Sequence, residues 1–240
     1  VHTSREDLTC KDGRLPNRAA SECFFSLPAG LPESQEQKGI LMLVLGIYGS
    51  PRKAGNTDCM LDAFLEGVGE AGAQIRRIYV RNLKMNGCIG CGECDETGVC
   101  SQQDDMTALY PLLESAPRIV VASPVYFYGV SGQLKLLIDR SQALYMRLER
   151  DRRQLAGTGV DDREGFLLSS GATRGKRLFE CLTLTVKYFF DAVGVAYSGE
   201  LCYREVEEKG DIARHPSALE ECRRAGRDFA GNRGCSRPPE

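Results

Sequence analysis

Ile40-Leu-Met-Leu-Val-Leu-Gly46 is an unbroken apolar run of strand length. A chain uses such a run most readily as a strand covered on both faces, which implies a parallel sheet with helices on either side. After it come a short polar loop and a segment with Met60, Leu61, Phe64, Leu65 and Val68 at helical spacing, closed by Gly72. Gln74 to Val80 then reads as a second strand. Strand, helix and strand within about forty residues make a βαβ unit, whose crossover is right-handed.

The pattern repeats downstream. Asp104-Asp105 can cap a helix carrying Leu109, Leu112 and Leu113, and Pro111 inside it predicts a kink or a short first turn. Arg118 to Ala122 is a third strand, and Gly132 opens a helix with Leu134, Leu137, Ile138 and Leu144 at helical spacing. Residues 149–164 are charged and contain glycine, as a surface excursion would. Gly165 to Ser170 and Gly194 to Tyr203 are the fourth and fifth strands, separated by a helix from about Lys176 to Asp191. Ser217-Ala-Leu-Glu220 has the form of a capping box for a last helix ending near Ala230. His215, beside Pro216, is expected to be exposed and inert. Five strands alternating with helices predict one doubly wound α/β domain over residues 39–230. Residues 1–38, broken by Pro16, Pro28 and Pro32, are expected to be a poorly ordered extension, with a natural start at Met42, and 231–240 to be a polar tail.

A hydrophobic content of 42% suits a domain with a real core, and no apolar run reaches membrane-spanning length. The net charge of −2 provides no basic field, which argues against nucleic acid as a partner. Eleven cysteines, an odd number without a secretory signal, point to reduced thiols and a cytoplasmic protein.

In an open parallel sheet, ligands bind beyond the carboxyl ends of the strands. Three loops leave such ends: 48–57, 123–131 and 170–175. In the first, the Ser50 and Thr57 hydroxyls, the Asn56 amide, the Arg52 guanidinium and the N–H groups of a helix start can surround a phosphate. The loop has neither a Walker A sequence nor a Gly-x-Gly-x-x-Gly, so one phosphate is expected rather than two. The second loop supplies Pro124, Tyr126, Phe127 and Tyr128, an aromatic wall for a flat heterocycle. Together they point to FMN.

Four thiols fall within thirteen residues, at Cys88, Cys91, Cys94 and Cys100, among Gly87, Gly90, Gly92 and Gly98. Short spacings let one loop wrap a small soft centre. Three readings are open: an iron–sulfur cluster, a structural zinc, or four free thiols. The first three cysteines run together as in ferredoxin-type loops. A single [4Fe–4S] centre would be complete with four.

Gly49-Ser50-Pro51-Arg52, Gly55-Asn56-Thr57, the four-cysteine loop, Asp104-Asp105-Met106, Ser123-Pro124-Val125-Tyr126 and the run from Leu134-Lys135 to Ile138-Asp139-Arg140 occur in order. Together they resemble the iron–sulfur flavoproteins of the NADPH-dependent FMN reductase-like, flavodoxin-fold superfamily, over about residues 40–230. The resemblance implies a parallel sheet of order 2-1-3-4-5 with the cysteine loop, residues 86–105, after strand 2. It implies FMN phosphate on Ser50, Arg52, Asn56 and Thr57. It implies isoalloxazine contacts from Pro124, Val125, Tyr126 and Phe127, joined by Ser170, Gly171 and Ala172. It also implies a [4Fe–4S] cluster on Cys88, Cys91, Cys94 and Cys100, and a homodimer or homotetramer. Lys135 and Asp139, four apart on a helix, either pair on its surface or lie near subunit contacts.

The function expected is electron transfer between FMN, the cluster and an external partner, with ferredoxin or NAD(P)H as donor. No catalytic nucleophile–base pair is expected. Two alternatives are an NAD(P)H-dependent FMN or quinone reductase without a working cluster, and a redox-responsive binding protein.

Overall fold

The computed structural model describes residues 42–154 and 162–231. The extension expected over residues 1–38 and the tail beyond Gly231 lie outside them. Five strands, β1 (Leu43–Tyr48), β2 (Gln74–Tyr79), β3 (Arg118–Pro124), β4 (Glu164–Ser170) and β5 (Ala196–Tyr203), form one all-parallel sheet of order β2-β1-β3-β4-β5. This is the flavodoxin-like arrangement. Its alternating side chains feed two cores. Leu45, Ile47, Ile119, Val121 and Leu167 face α3 (Met106–Ser115), α4 (Gly132–Arg140), α5 (Gln142–Gln154) and α6 (Glu180–Ala192). Val44, Tyr48, Val120, Ala122 and Leu168 face α1 (Asn56–Glu70), α7 (Asp211–Arg214) and α8 (Ala218–Gly231). Among the described residues no helix is long and apolar enough to cross a membrane.

Helix α1 buries the five apolar residues that its spacing predicts, and Gly72 follows its end at φ 80°. It crosses α8 with backbones touching. A Cβ on Gly67 would lie 1.9 Å from the Arg223 carbonyl oxygen, and one on Gly226 would lie 1.9 Å from that of Phe64. Arg223 and Arg227 reach back to Glu66 and Glu70 beside the crossing.

Several local expectations change. The helix expected from Gly132 through Leu144 breaks at Ser141, whose buried hydroxyl donates to the Leu137 carbonyl (3.0 Å), a side-chain bond that competes with the helical ladder. Helix α5 then absorbs residues 149–154 of the expected surface excursion, and 155–161 lie outside the described residues. Helix α3 runs through Pro111 as one element. Its start is capped by Asp104, whose Oδ1 accepts from the Met106 N–H (3.0 Å). His215 is half-buried and far from idle: its Nδ1 accepts from the Ser217 (3.4 Å) and Ala218 (3.1 Å) N–H groups at the start of α8. The expected capping box therefore gives way to an imidazole cap, and Glu220 reaches forward to Arg227 instead. Lys135 and Asp139 pair on the surface of α4 at 2.6 Å.

Candidate functional site

The loops at the carboxyl ends of β1, β3, β4 and β5 are laced together by main-chain bonds. The Gly49 N–H donates to the Ala122 carbonyl (2.7 Å), and a Cβ on Gly49 would lie 2.6 Å from that same oxygen. The Ser131 hydroxyl, at the start of α4, donates to the Gly49 carbonyl. Val125 N–H donates to Ser170 O (3.0 Å), Gly171 N–H to Tyr203 O (3.0 Å), and Val206 N–H to Gly171 O (3.1 Å). An open cleft of about 190 Å³ lies between these loops.

One wall of the cleft is the start of α1, where Ser50, Arg52, Asn56 and Thr57 all line the space. The residue preceding α1 is Gly55, which supplies no side-chain cap, so the N–H groups of the first turn have no side-chain acceptor. Thr57 is buried, and its Oγ1 has no hydrogen-bond partner. Asn56 is occupied differently. Its amide donates to Glu208 O (2.8 Å), and its carbonyl accepts from Gly210 N–H (2.9 Å) and Ile212 N–H (3.4 Å), tying the loop after β5 to α1. Arg52 is exposed at the mouth. The loop is braced from behind by buried Asp58, which accepts from Ala54 N–H (3.0 Å) and pairs with Arg81 (3.0 Å). Arg81 also donates to Ser50 O (3.1 Å). Burial pushes the Asp58 carboxyl up, and Arg81 offsets part of this.

The opposite wall holds Pro124, Val125 and Tyr126, and the floor holds Ser170, Gly171 and Ala172. Phe127 is not among them. Tyr126 and Gly129 exchange two main-chain bonds of 2.9 Å, with Phe127 at φ 50° and Tyr128 at φ 63° between them. Positive φ at both central positions is the type I′ arrangement, normally filled by Gly, Asn or Asp. It turns Phe127 fully into solvent. Gly55, Val206 and Glu207 also line the cleft and were not foreseen; the last two come from the loop after β5.

A second cleft, of about 270 Å³, is lined by Cys88, Cys91, Cys94 and Cys100. Gly90, Gly92 and Gly98 take φ of 64°, 77° and 71°, which lets the chain double back around the short α2 (Glu93–Thr97). Arg147 donates to the Gly98 carbonyl (3.0 Å) and Arg150 to that of Glu96 (3.1 Å), pinning α2 to α5. A hydrogen bond from Ser101 holds the Cys91 thiol below its ordinary range, whereas burial pushes Cys94 up. Among the described residues, no three Cys, His, Asp or Glu side chains are gathered as around a metal ion. The donor set nevertheless suits a soft centre, since four cysteine sulfurs of one loop line one cleft.

The sequence matches the NADPH-dependent FMN reductase family model over residues 42–183, more than half of the chain. The chain belongs to that family. An iron-sulfur flavoprotein of Archaeoglobus fulgidus is 43% identical over 99 residues, 41% of this chain and 45% of that protein. Another from the same organism is 32% identical over 145 residues, 60% of this chain and 67% of that one. The chain spans about half the length of the first curated relatives it matches. Among solved structures, an NAD(P)H:quinone oxidoreductase from Methanothermobacter marburgensis superposes with a TM-score of 0.60 at 19% identity, covering 82% of this chain and 100% of that one. A flavone reductase gives 0.59 at 19%, covering 79% and 62%. These two share the family's fold.

Proposed function

We propose that this protein is a flavin-dependent oxidoreductase that transfers electrons, holding FMN in the first cleft and a [4Fe–4S] cluster on Cys88, Cys91, Cys94 and Cys100. NAD(P)H or reduced ferredoxin is the donor. The observation that carries the reading is the start of α1: a helix end without a side-chain cap, beside a buried Thr57 hydroxyl that lacks a partner. Both are donors that a phosphate would satisfy. Ser50 and Arg52 complete the anion site, while Asn56 holds the loop after β5 in place. Val125, Tyr126 and the Ser170–Ala172 turn suit a flat ring with polar edges. FMN takes up electrons in pairs or singly and an iron–sulfur cluster passes them singly, so together they link a hydride donor to a one-electron carrier. Exposed Tyr126, Phe127 and Tyr128 at the cleft mouth fit assembly as a homodimer or homotetramer, and the free thiols fit the cytoplasm.

The test is anaerobic purification and reconstitution with FMN, ferrous iron and sulfide, followed by flavin, iron and zinc analysis and visible absorption. Flavin bands with added broad absorption near 400 nm and iron in cluster stoichiometry are expected. A colourless protein without affinity for FMN overturns the reading. The family match and the fold shared with an NAD(P)H:quinone oxidoreductase suit a second reading, an NAD(P)H-dependent FMN or quinone reductase without a cluster. Flavin bands alone, with NAD(P)H turnover, would establish it.

A further inference from the structure

Residues 86–104 leave and re-enter the domain at nearly one point, and the group found there is the guanidinium of Arg140, the last residue of α4. Its side chain is completely buried. Nη1 donates to the Asn86 carbonyl (3.0 Å) and to Asp104 Oδ2 (2.6 Å), and Nη2 donates to the Gln102 carbonyl (3.2 Å) and to Asp104 Oδ1 (3.2 Å). Asp104 returns the tie by accepting from the Asn86 N–H (3.1 Å). Gln102 adds a bond from its amide to Gly87 O (2.9 Å). Asn86 lies two residues before Cys88, and Gln102 two residues after Cys100.

We propose that Arg140 is the positioning residue of the cysteine loop: with Asp104 it locks the loop's two ends together, so that Cys88 and Cys100 face one cleft. What the loop then holds rests on the cluster reading above; the lock is a property of the chain alone. A planar fork of five donors can serve both strands at once, as a lysine ammonium cannot. As a source of stability the pair is poorly suited, because desolvation of two buried charges offsets much of their attraction. The Arg140 Nε is buried without a partner, which adds to that cost. The geometry accounts for the arrangement instead. The distal cysteine, separated from Cys94 by five residues, comes back to the first three because its flank is fastened to theirs.

The experiment compares Arg140→Lys, Asp104→Asn and the double variant with the wild type as full chains. Hydrogen exchange is read by mass spectrometry on the FMN-loaded, iron-free protein. Amides of 86–104 are expected to exchange at least tenfold faster in each single variant, with β1, β3 and FMN content unchanged. The double variant should be no worse than the worse single one, since both act on one tie. After reconstitution, the variants should lose iron to a chelator at least tenfold faster than the wild type. Unchanged protection of 86–104, protection lost evenly over the whole chain, or additive effects in the double variant overturn the proposal. So does equal iron loss. Should Arg140→Lys fail to fold, Asp104→Asn, which keeps size and shape, decides the matter. A wild type that takes up no iron defeats the cluster reading, while the exchange result still decides the lock.

Discussion

Thr57→Val separates what the first cleft is for from what it contributes to the fold. The two side chains are nearly the same size, both are β-branched, and they have similar helix propensities. The Thr57 hydroxyl is buried with no partner in the ligand-free chain. An unsatisfied buried polar group costs about 1–3 kcal/mol, so replacing it with a methyl should stabilise the ligand-free protein, by about 1 kcal/mol at the low end. In a domain of this size that raises Tm by roughly 2–4 °C. With FMN present the sign reverses. A hydrogen bond to a charged group contributes about 1.5–3 kcal/mol, which puts the loss of FMN affinity between roughly tenfold and 150-fold. Flavin fluorescence titration gives the affinity, and thermal melts of the ligand-free protein give the stability. A variant that binds FMN within twofold of the wild type, or whose ligand-free form melts earlier, would show that this hydroxyl does not meet the phosphate.

Three further outcomes are expected. Gly67→Ala forces a methyl to within 1.9 Å of the Arg223 carbonyl oxygen, so α1 and α8 must part, at about 3 kcal/mol in urea denaturation; a change under about 0.5 kcal/mol would contradict the crossing. In the iron-free chain near neutral pH, alkylation should reach Cys91 first, its thiol held low by Ser101, and leave Cys222 untouched, since burial pushes that thiol up to about 12; equal labelling of the two in peptide mass spectra would refute this. Burial works against the Asp104 carboxylate, but hydrogen bonds from Arg140 and from the Asn86 and Met106 N–H groups outweigh it and bring its pKa below the ordinary range. A depressed carboxylate stabilises the fold above its unfolded pKa of about 4, and that contribution is lost as pH falls through the folded value. The difference in urea midpoint between wild type and Asp104→Asn should therefore be full at neutral pH and shrink as pH falls below the unfolded value; a gap that stays constant on acidification would count against the ion pair.

Much of this architecture is legible in the residues, and the exceptions have physical reasons. The apolar run that ends in β1 and the stripe along α1 announce a covered parallel sheet because burial on both faces leaves no other use for them. The three loops follow from the sheet, because every parallel strand delivers its carboxyl end to the same edge. The fourth loop, with Val206 and Glu207, carries no local signal; the bond from Val206 to Gly171 and the distant ties to Asn56 bring it there. Asn56 reads as a phosphate ligand until partners more than 150 residues away claim its amide. Phe127 reads as part of a wall because composition cannot reveal a left-handed backbone. Arg140 did leave a trace: it lies three residues beyond Leu137 and six beyond Leu134, a charge on the apolar face of α4. A cation there needs a buried anion, and Asp104 was the candidate, read only as a cap.

No strand pairing involves residues 83–105, which follow β2 at the border of the sheet. Their attachment runs through side chains of α4 and α5 and through Leu83, Met85, Cys94 and Cys100, which pack against the core. The five-stranded platform therefore closes its own main-chain ladder without this segment, and three arginines, Arg140, Arg147 and Arg150, hold the segment to its side.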